Sequence, residues 1–423
     1  MGKIAEMSAV ELARRIGEGD LLAADVLEAC KQRIREREPV LRAFSAFDEE
    51  ATGRQLETLR PGRLHGVPVA VKDVLDVAGM ASGYGSPIWE GHVPRADSTA
   101  VALLRREGAL IIGKTVTTEF AVRHPGPTVN PHNPKHTPGG SSSGSAAGLA
   151  AHLFPLALGT QTAGSIIRPS AYCGVVGYKP SFGWVPRSGM KLMAESLDTI
   201  GPMGRTVADV ALLASVLTGR DFGDVDARPG RPLRIGICRS FYWDEAEPAM
   251  RNRFEDIVQN LDKVAVLKDW EWPAGFEPIN DLHTAVQYRE SALSLAWELE
   301  FEGGRLSPWL RQQLQAAWEQ PVALYDEAFL RLEALRAAFD VAMQQQEFDL
   351  LLTLAAAGEA PAGLESTGDA RFNRAWSALQ VPCVNVPAGV GPRGLPLGIQ
   401  LVGRRYDDAS LLRAAAWLQH YLN

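Results

Sequence analysis

The sequence predicts an α/β fold in which a largely parallel or mixed sheet is covered by helices on both faces. Short β-branched apolar runs alternate with amphipathic stretches, so that residues 67–71, 99–107 and 109–112 read strand, helix, strand, and 207–217 and 233–237 read helix, strand. Residues 67–71 have no polar position, the pattern of a strand buried on both faces. A chain of 423 residues, 46% hydrophobic and 22% charged, has the material for one large core.

Taken in order, Ser8-Ala9-Val10-Glu11 has the form of a capping box that opens a helix, and residues 21–37 carry apolar positions at helical spacing in Leu22, Val26, Ala29 and Ile34. These helices, within residues 1–60, are expected to pack on the core. Gly66 and Pro68 mark the start of the strand that Lys72 closes, and Gly108 stops the helix over 99–107. Beyond residue 221 helical stretches dominate: 247–261, 281–300, 306–319 and 322–345, before residues 348–353 return to the sheet. Small and polar residues at 361–368 predict a mobile loop near the rim of a site.

The net charge of −7 and the lack of a basic cluster point away from nucleic acid and anionic membranes, so the expected substrate is small and neutral. Cys30, Cys173, Cys238 and Cys383 form no CxxC pair, which argues against zinc and a disulfide scaffold and suits a reducing compartment. Neither a secretory leader nor a membrane span is read from the chain, and the default is a cytoplasmic enzyme without metal or cofactor.

Residues 139–169, GGSSSGSAAGLAAHLFPLALGTQTAGSIIRP, hold two Ser/Gly clusters on either side of an uncharged apolar run, which a flexible linker would not carry. Glycines beside a serine admit close backbone approach, and successive N–H groups of Thr162, Ala163, Gly164 and Ser165 can form an oxyanion hole. Three literal patterns compete. Gly108 to Thr115 matches GxxxxGK[ST], but residues 109–112 are themselves the strand, so no phosphate loop is expected. Gly140 to Gly144 matches GxSxG after a loop rather than a strand, and Ser188 to Lys191 matches SxxK with a glycine inside and no partner motif. His132 and His136 lie near the serines in a Pro/Asn-rich loop and remain alternative bases, while His124, His152 and His283 have no motif around them. The residues alone leave Lys72 open between a buried base and one half of an ion pair.

The serine block resembles the amidase signature, GGSSxGSxA followed by GTxTxGSxxxP, and runs on into Cys173-Gly174-Val175-Val176-Gly177-Tyr178-Lys179-Pro180. Upstream, Leu64-His65-Gly66-Val67-Pro68-Val69-Ala70-Val71-Lys72-Asp73 is similar to that family's lysine strand. Residues 394–403, GLPLGIQLVG, are similar to its closing strand. The resemblance implies a single layered amidase-signature fold with a central mixed sheet: a catalytic core at 61–220, a helix-rich substrate-covering insertion at 221–369 and a return of the core at 370–423. It also implies Ser165 as nucleophile, Ser141 as a bridging serine on a cis peptide and Lys72 as base, with Gly139, Gly140, Phe120 and Trp376 lining the substrate.

The family's usual GTDTGGSIRxPA differs here: Gln161 and Ile167 replace an acidic residue and an arginine, and Arg168 stands one place later. A neutral contact is expected in place of the usual carboxylate–guanidinium pair, and Trp376 is expected to form an apolar wall. The implied function is a serine amidohydrolase of linear amides, with carbamates or esters as neighbours, acting on a small neutral amide-type substrate and water, with a homodimer as the assembly to test. The alternative is the glutamine-hydrolysing component of a tRNA-dependent amidotransferase, and a third reading is a pseudo-amidase binding module.

Overall fold

The computed structural model describes residues 2–422. The first half of the chain forms β1 (Phe44–Ala46), β2 (Pro68–Lys72), β3 (Leu110–Thr115), β4 (Leu156–Gln161), β5 (Val176–Lys179) and β6 (Thr199–Gly204). The second half adds β7 (Arg234–Ile237), β8 (Val266–Asp269), β9 (Leu350–Leu354), β10 (Cys383–Val390) and β11 (Pro396–Val402). They form one 11-stranded sheet ordered β1-β3-β2-β4-β6-β5-β10-β11-β9-β7-β8. The sheet is mixed: β3, β2 and β4 run parallel, as do β9, β7 and β8, and the strands between them are antiparallel.

Alternation along each strand divides the core into two faces. Val69, Val71, Leu156 and Leu158 pack against helices Thr99–Arg106 and Val207–Thr218. Ala70, Ala157, Leu110 and Ile112 pack against Ala23–Leu41 and Ser143–Ala150. The second of these is nearly all buried, and its glycines and alanines let it lie close on the sheet. Lys72 has the parity of Ala70, so its side chain extends on the face where this helix and its preceding serines sit.

Ser8 caps helix Ala9–Gly17 by accepting from the Glu11 N–H at 3.1 Å, the forward half of the expected box. The helix expected to end at residue 37 continues to Leu41 through Pro39, with Arg42 in the left-handed region and Glu38 accepting from the N–H groups of Ala43 and Phe44. The helix expected over 281–300 is two, Ile279–Ser294 and Ala296–Phe301, and the break puts Leu295 into a cluster with Leu310 and Leu314. Residues 221–369 also do more than cover one side: β9 pairs with β11 and carries β7 and β8, extending the sheet itself. Among the described residues no helix is long and apolar enough to cross a membrane.

Candidate active site

β2 is central and all five of its residues are buried, so its terminal Lys72 brings an amine into the protein interior. Nζ lies 2.7 Å from Ser141 Oγ, 2.7 Å from Thr160 Oγ1 and 3.3 Å from the Thr160 carbonyl oxygen. Three oxygens and no carboxylate surround it. Burial therefore pushes the Lys72 amine well below the ordinary lysine range; the charge of Asp198 opposes this and that of Arg168 assists. Asp73 points to the other face, where its carboxylate meets Lys114 Nζ at 2.7 Å and the Gly83 N–H at 3.2 Å. The Gly140–Ser141 peptide is cis.

Ser165 lies in the turn between β4 and helix Ile167–Cys173. Each carbonyl of this turn is bound from outside. That of Thr162 accepts from His283 Nε2 at 2.9 Å, that of Ala163 from Ser377 Oγ at 2.7 Å, that of Gly164 from the Arg168 N–H and that of Ser165 from the Ser142 N–H. Thr162 Oγ1 donates to Asp198, which also accepts from the N–H groups of Met193 and Ala194. With the carbonyls bound outward, the backbone N–H groups of Thr162, Ala163, Gly164 and Ser165 have no acceptor among the described residues. Gly164 has no room for a side chain: a Cβ there would stand 2.4 Å from Asn373 Oδ1. Such a turn offers preformed donors to an oxyanion.

Gln161 carries out the neutral bracing expected of it. Its Oε1 accepts from the N–H groups of Ile166 and Ile167 at 2.9 and 3.1 Å, and its Nε2 donates to Ser377 Oγ at 3.0 Å. One amide thus ties both sides of the turn, a task in which a carboxylate could accept twice but not donate.

The turn borders a cavity of about 260 Å³. Thr162, Ala163 and Ser165 form one wall, with Ser165 Oγ free of any hydrogen bond among the described residues. Arg123, Arg168 and Arg374 also line it, with Gln287, Tyr288 and the segment 366–370. The net negative charge of the chain does not extend to this interior.

A family model described as Amidase matches residues 25–412. The chain belongs to the amidase family. One relative, the glutamyl-tRNA(Gln) amidotransferase A chain of Thermus thermophilus, is 32% identical, over 97% of this chain and 96% of its own. The peptide amidase of Stenotrophomonas maltophilia superposes with a TM-score of 0.84 at 27% identity, over 99% of this chain and 97% of that one. A chain solved in an inhibitor-bound complex of an s-triazine catabolic enzyme gives 0.89 at 26% identity, over 98% of both. The protein is thus an enzyme of amide C–N bonds with the amidase-signature fold.

In this amidase Lys72, Ser141 and the 162–165 turn come together, while other residues singled out in the sequence lie elsewhere. Trp376 is not a cavity wall: it is 1% exposed and stacks on Trp272 in the core beneath, because its helix, Arg371–Ala378, turns Arg374 toward the cavity instead. Phe120 is buried against Lys191 and the Leu295 cluster, and only its neighbours Ala121 and Val122 reach the cavity. Gly139 and Gly140 lie behind the lining, where the Gly140 carbonyl accepts from Arg168 at 2.7 Å. His132 and His136 are bound to the carbonyls of Cys173 and Ala360, and neither reaches a serine. Lys114 of the P-loop pattern is in β3, as its strand context requires, and Lys191 of the SxxK pattern pairs with Glu298. The sequence passed over Thr160, His283, Asn373, Arg374 and Ser377. Of these only Thr160, inside the signature block, and Asn373 and Arg374, beside the flagged Trp376, had a local signal.

Proposed function

We propose that this amidase hydrolyses a linear amide through an acyl-enzyme on Ser165. Neutral Lys72 takes a proton from Ser141 as Ser141 takes one from Ser165, and Ser165 Oγ attacks the amide carbon. N–H groups of 162–165 hold the resulting oxyanion, where loss of a single donor costs about 3 kcal/mol of transition-state stabilisation. The proton returns along the relay to the amine, which leaves as the C–N bond breaks; water then enters by the reverse proton path and releases the acid. The observation that carries this is the 2.7 Å contact between a fully buried lysine without a carboxylate partner and Ser141. The Ser141–Ser165 link would close on substrate binding, since catalytic hydrogen bonds are often loose in an empty site.

A fluorophosphonate probe tests the nucleophile, with labelling expected at Ser165. Labelling at Ser142 or Ser188 would overturn the assignment. Carbamates and esters fit the same tetrahedral intermediate. We place the enzyme in the cytoplasm on its four buried, unpaired cysteines.

A second reading, the glutamine-hydrolysing component of a tRNA-dependent amidotransferase, is favoured by the full-length likeness to the Thermus thermophilus protein. It requires ammonia release from glutamine and a partner chain. Incubation with anilides, primary amides, carbamates and glutamine separates the two.

A further inference from the structure

Arg123, Arg168 and Arg374 line one cavity, and among the described residues none of the three forms a salt bridge. Neutral groups hold each of them. Arg168 donates to the Gly140 carbonyl at 2.7 Å and to Thr367 Oγ1 at 3.2 Å, and its buried Nε has no partner. Arg374 Nη1 lies 3.2 Å from His283 Nδ1 and 3.1 Å from Gln287 Oε1. Arg123 lies over the Trp309 ring at 5.1 Å. The one acidic residue of the lining, Asp369, is engaged by Arg371 at 2.7 Å.

Neutral acceptors and an aromatic face fix a guanidinium without cancelling its charge. Arg168 is buried, Arg374 half-buried and Arg123 exposed; a purely structural arginine as buried as Arg168 would be expected to meet a carboxylate, because uncompensated charge inside a protein is costly. Desolvation pulls the Arg168 guanidinium down to about 10, with Tyr172 and Asp369 opposing and the charges of Arg374 and Arg123 assisting.

We propose that the amide hydrolysed at Ser165 carries a carboxylate elsewhere in the molecule, and that Arg123, Arg168 and Arg374 bind it. This rests on the serine reading above and narrows its substrate to acid amides, in place of the neutral compound expected from the composition. His283 is a positioning residue in this scheme. Its Nε2–H donates to the Thr162 carbonyl and its Nδ1 accepts from Arg374, so one ring couples the oxyanion turn to the anion site. Burial and the adjoining guanidinium push its pKa down to about 3, which keeps Nδ1 an acceptor at working pH.

The experiment compares monoamides of short dicarboxylic acids with their methyl esters on the full chain, alongside fluorophosphonate labelling. At one chain length at least, the acid is expected to exceed its ester in kcat/KM by about 100-fold or more. Arg374→Gln is expected to collapse that ratio mainly through KM, and Arg374→Lys to restore part of it. His283→Gln should lower kcat as well as raise KM, a split that loss of the anion contact alone would not give. If the esters match or exceed the acids at every length, or if no acid amide binds Ser165→Ala protein saturably by calorimetry, the proposal fails while Ser165 labelling still supports the serine mechanism. If the acids are preferred but the probe marks a residue other than Ser165, the mechanism fails and the arginine site stands.

Discussion

Lys72 has two possible protonation states, and its surroundings favour the one that can act as a base. As an ammonium it would be a buried charge facing hydroxyls and a carbonyl, with its adjacent carboxylate, Asp73, committed to Lys114 on the other face of the sheet. Its folded pKa is depressed, and in the proposed mechanism the active form is the deprotonated one. It follows that kcat/KM should rise with pH through a single ionisation below the ordinary lysine value of about 10.4. Lys72→Arg keeps a charge that cannot be lost, and a folded variant should be inactive; substantial activity would reduce Lys72 to an electrostatic role. Ser165→Ala should cut turnover by about 10⁴-fold or more. Gly164→Ala drives a methyl into Asn373 and displaces a proposed oxyanion donor, for which a fall in kcat of about 100- to 1,000-fold is expected in single-turnover assays.

At the scale of elements, helix Ile279–Ser294 joins the outer helices to the chemistry. It carries His283 to the turn at 162–165 and brings Gln287 and Tyr288 to the cavity. Exchanging it for the corresponding helix of a relative should change the order in which substrates are preferred, and an unchanged order in a folded chimera would contradict this. Helix Arg371–Ala378 works differently on its two sides, since Asn373, Arg374 and Ser377 serve the site while Trp376 and Phe372 fill the core. Trp376→Phe should therefore cost stability, seen as a lower denaturation midpoint, and leave the substrate order unchanged. The truncation Trp376→Ala should cost about 3–5 kcal/mol.

For the whole molecule the continuous sheet matters most. Because β7, β8 and β9 join β11 through residues 221–369, and the clusters on both faces mix residues from 221–369 with residues of the rest of the chain, the outer segment and the catalytic half should melt together. Calorimetry is expected to give one transition, and deletion of residues 221–369, which bares the edge of β11, should yield no folded protein. Two resolved transitions would mean that the segment folds by itself. Activity should survive dialysis against a strong chelator, and a loss restored by zinc would refute the metal-independent mechanism.

The amino-acid sequence by itself determined what depends on neighbours along the chain. An uninterrupted apolar run marked β2 with Lys72 at its end, strand period sends the next residue, Asp73, to the opposite face, the strand character of residues 109–112 ruled out a phosphate loop, and the Ser/Gly block located the turn at 162–165. It was legible because strand period, turn chemistry and backbone approach are local properties. Only the tertiary structure decided what shares space with that turn. His283, Arg374 and Ser377 come from far along the chain to bind its carbonyls or line its cavity, and Asn373 packs against Gly164; the neighbourhood of Trp376 drew notice to Asn373 and Arg374, but no flanking residue encodes what they meet. A helix shows which positions are apolar but not which side faces a cavity. Trp376 and Arg374 are two residues apart, and packing alone sent the ring inward and the guanidinium to the cavity.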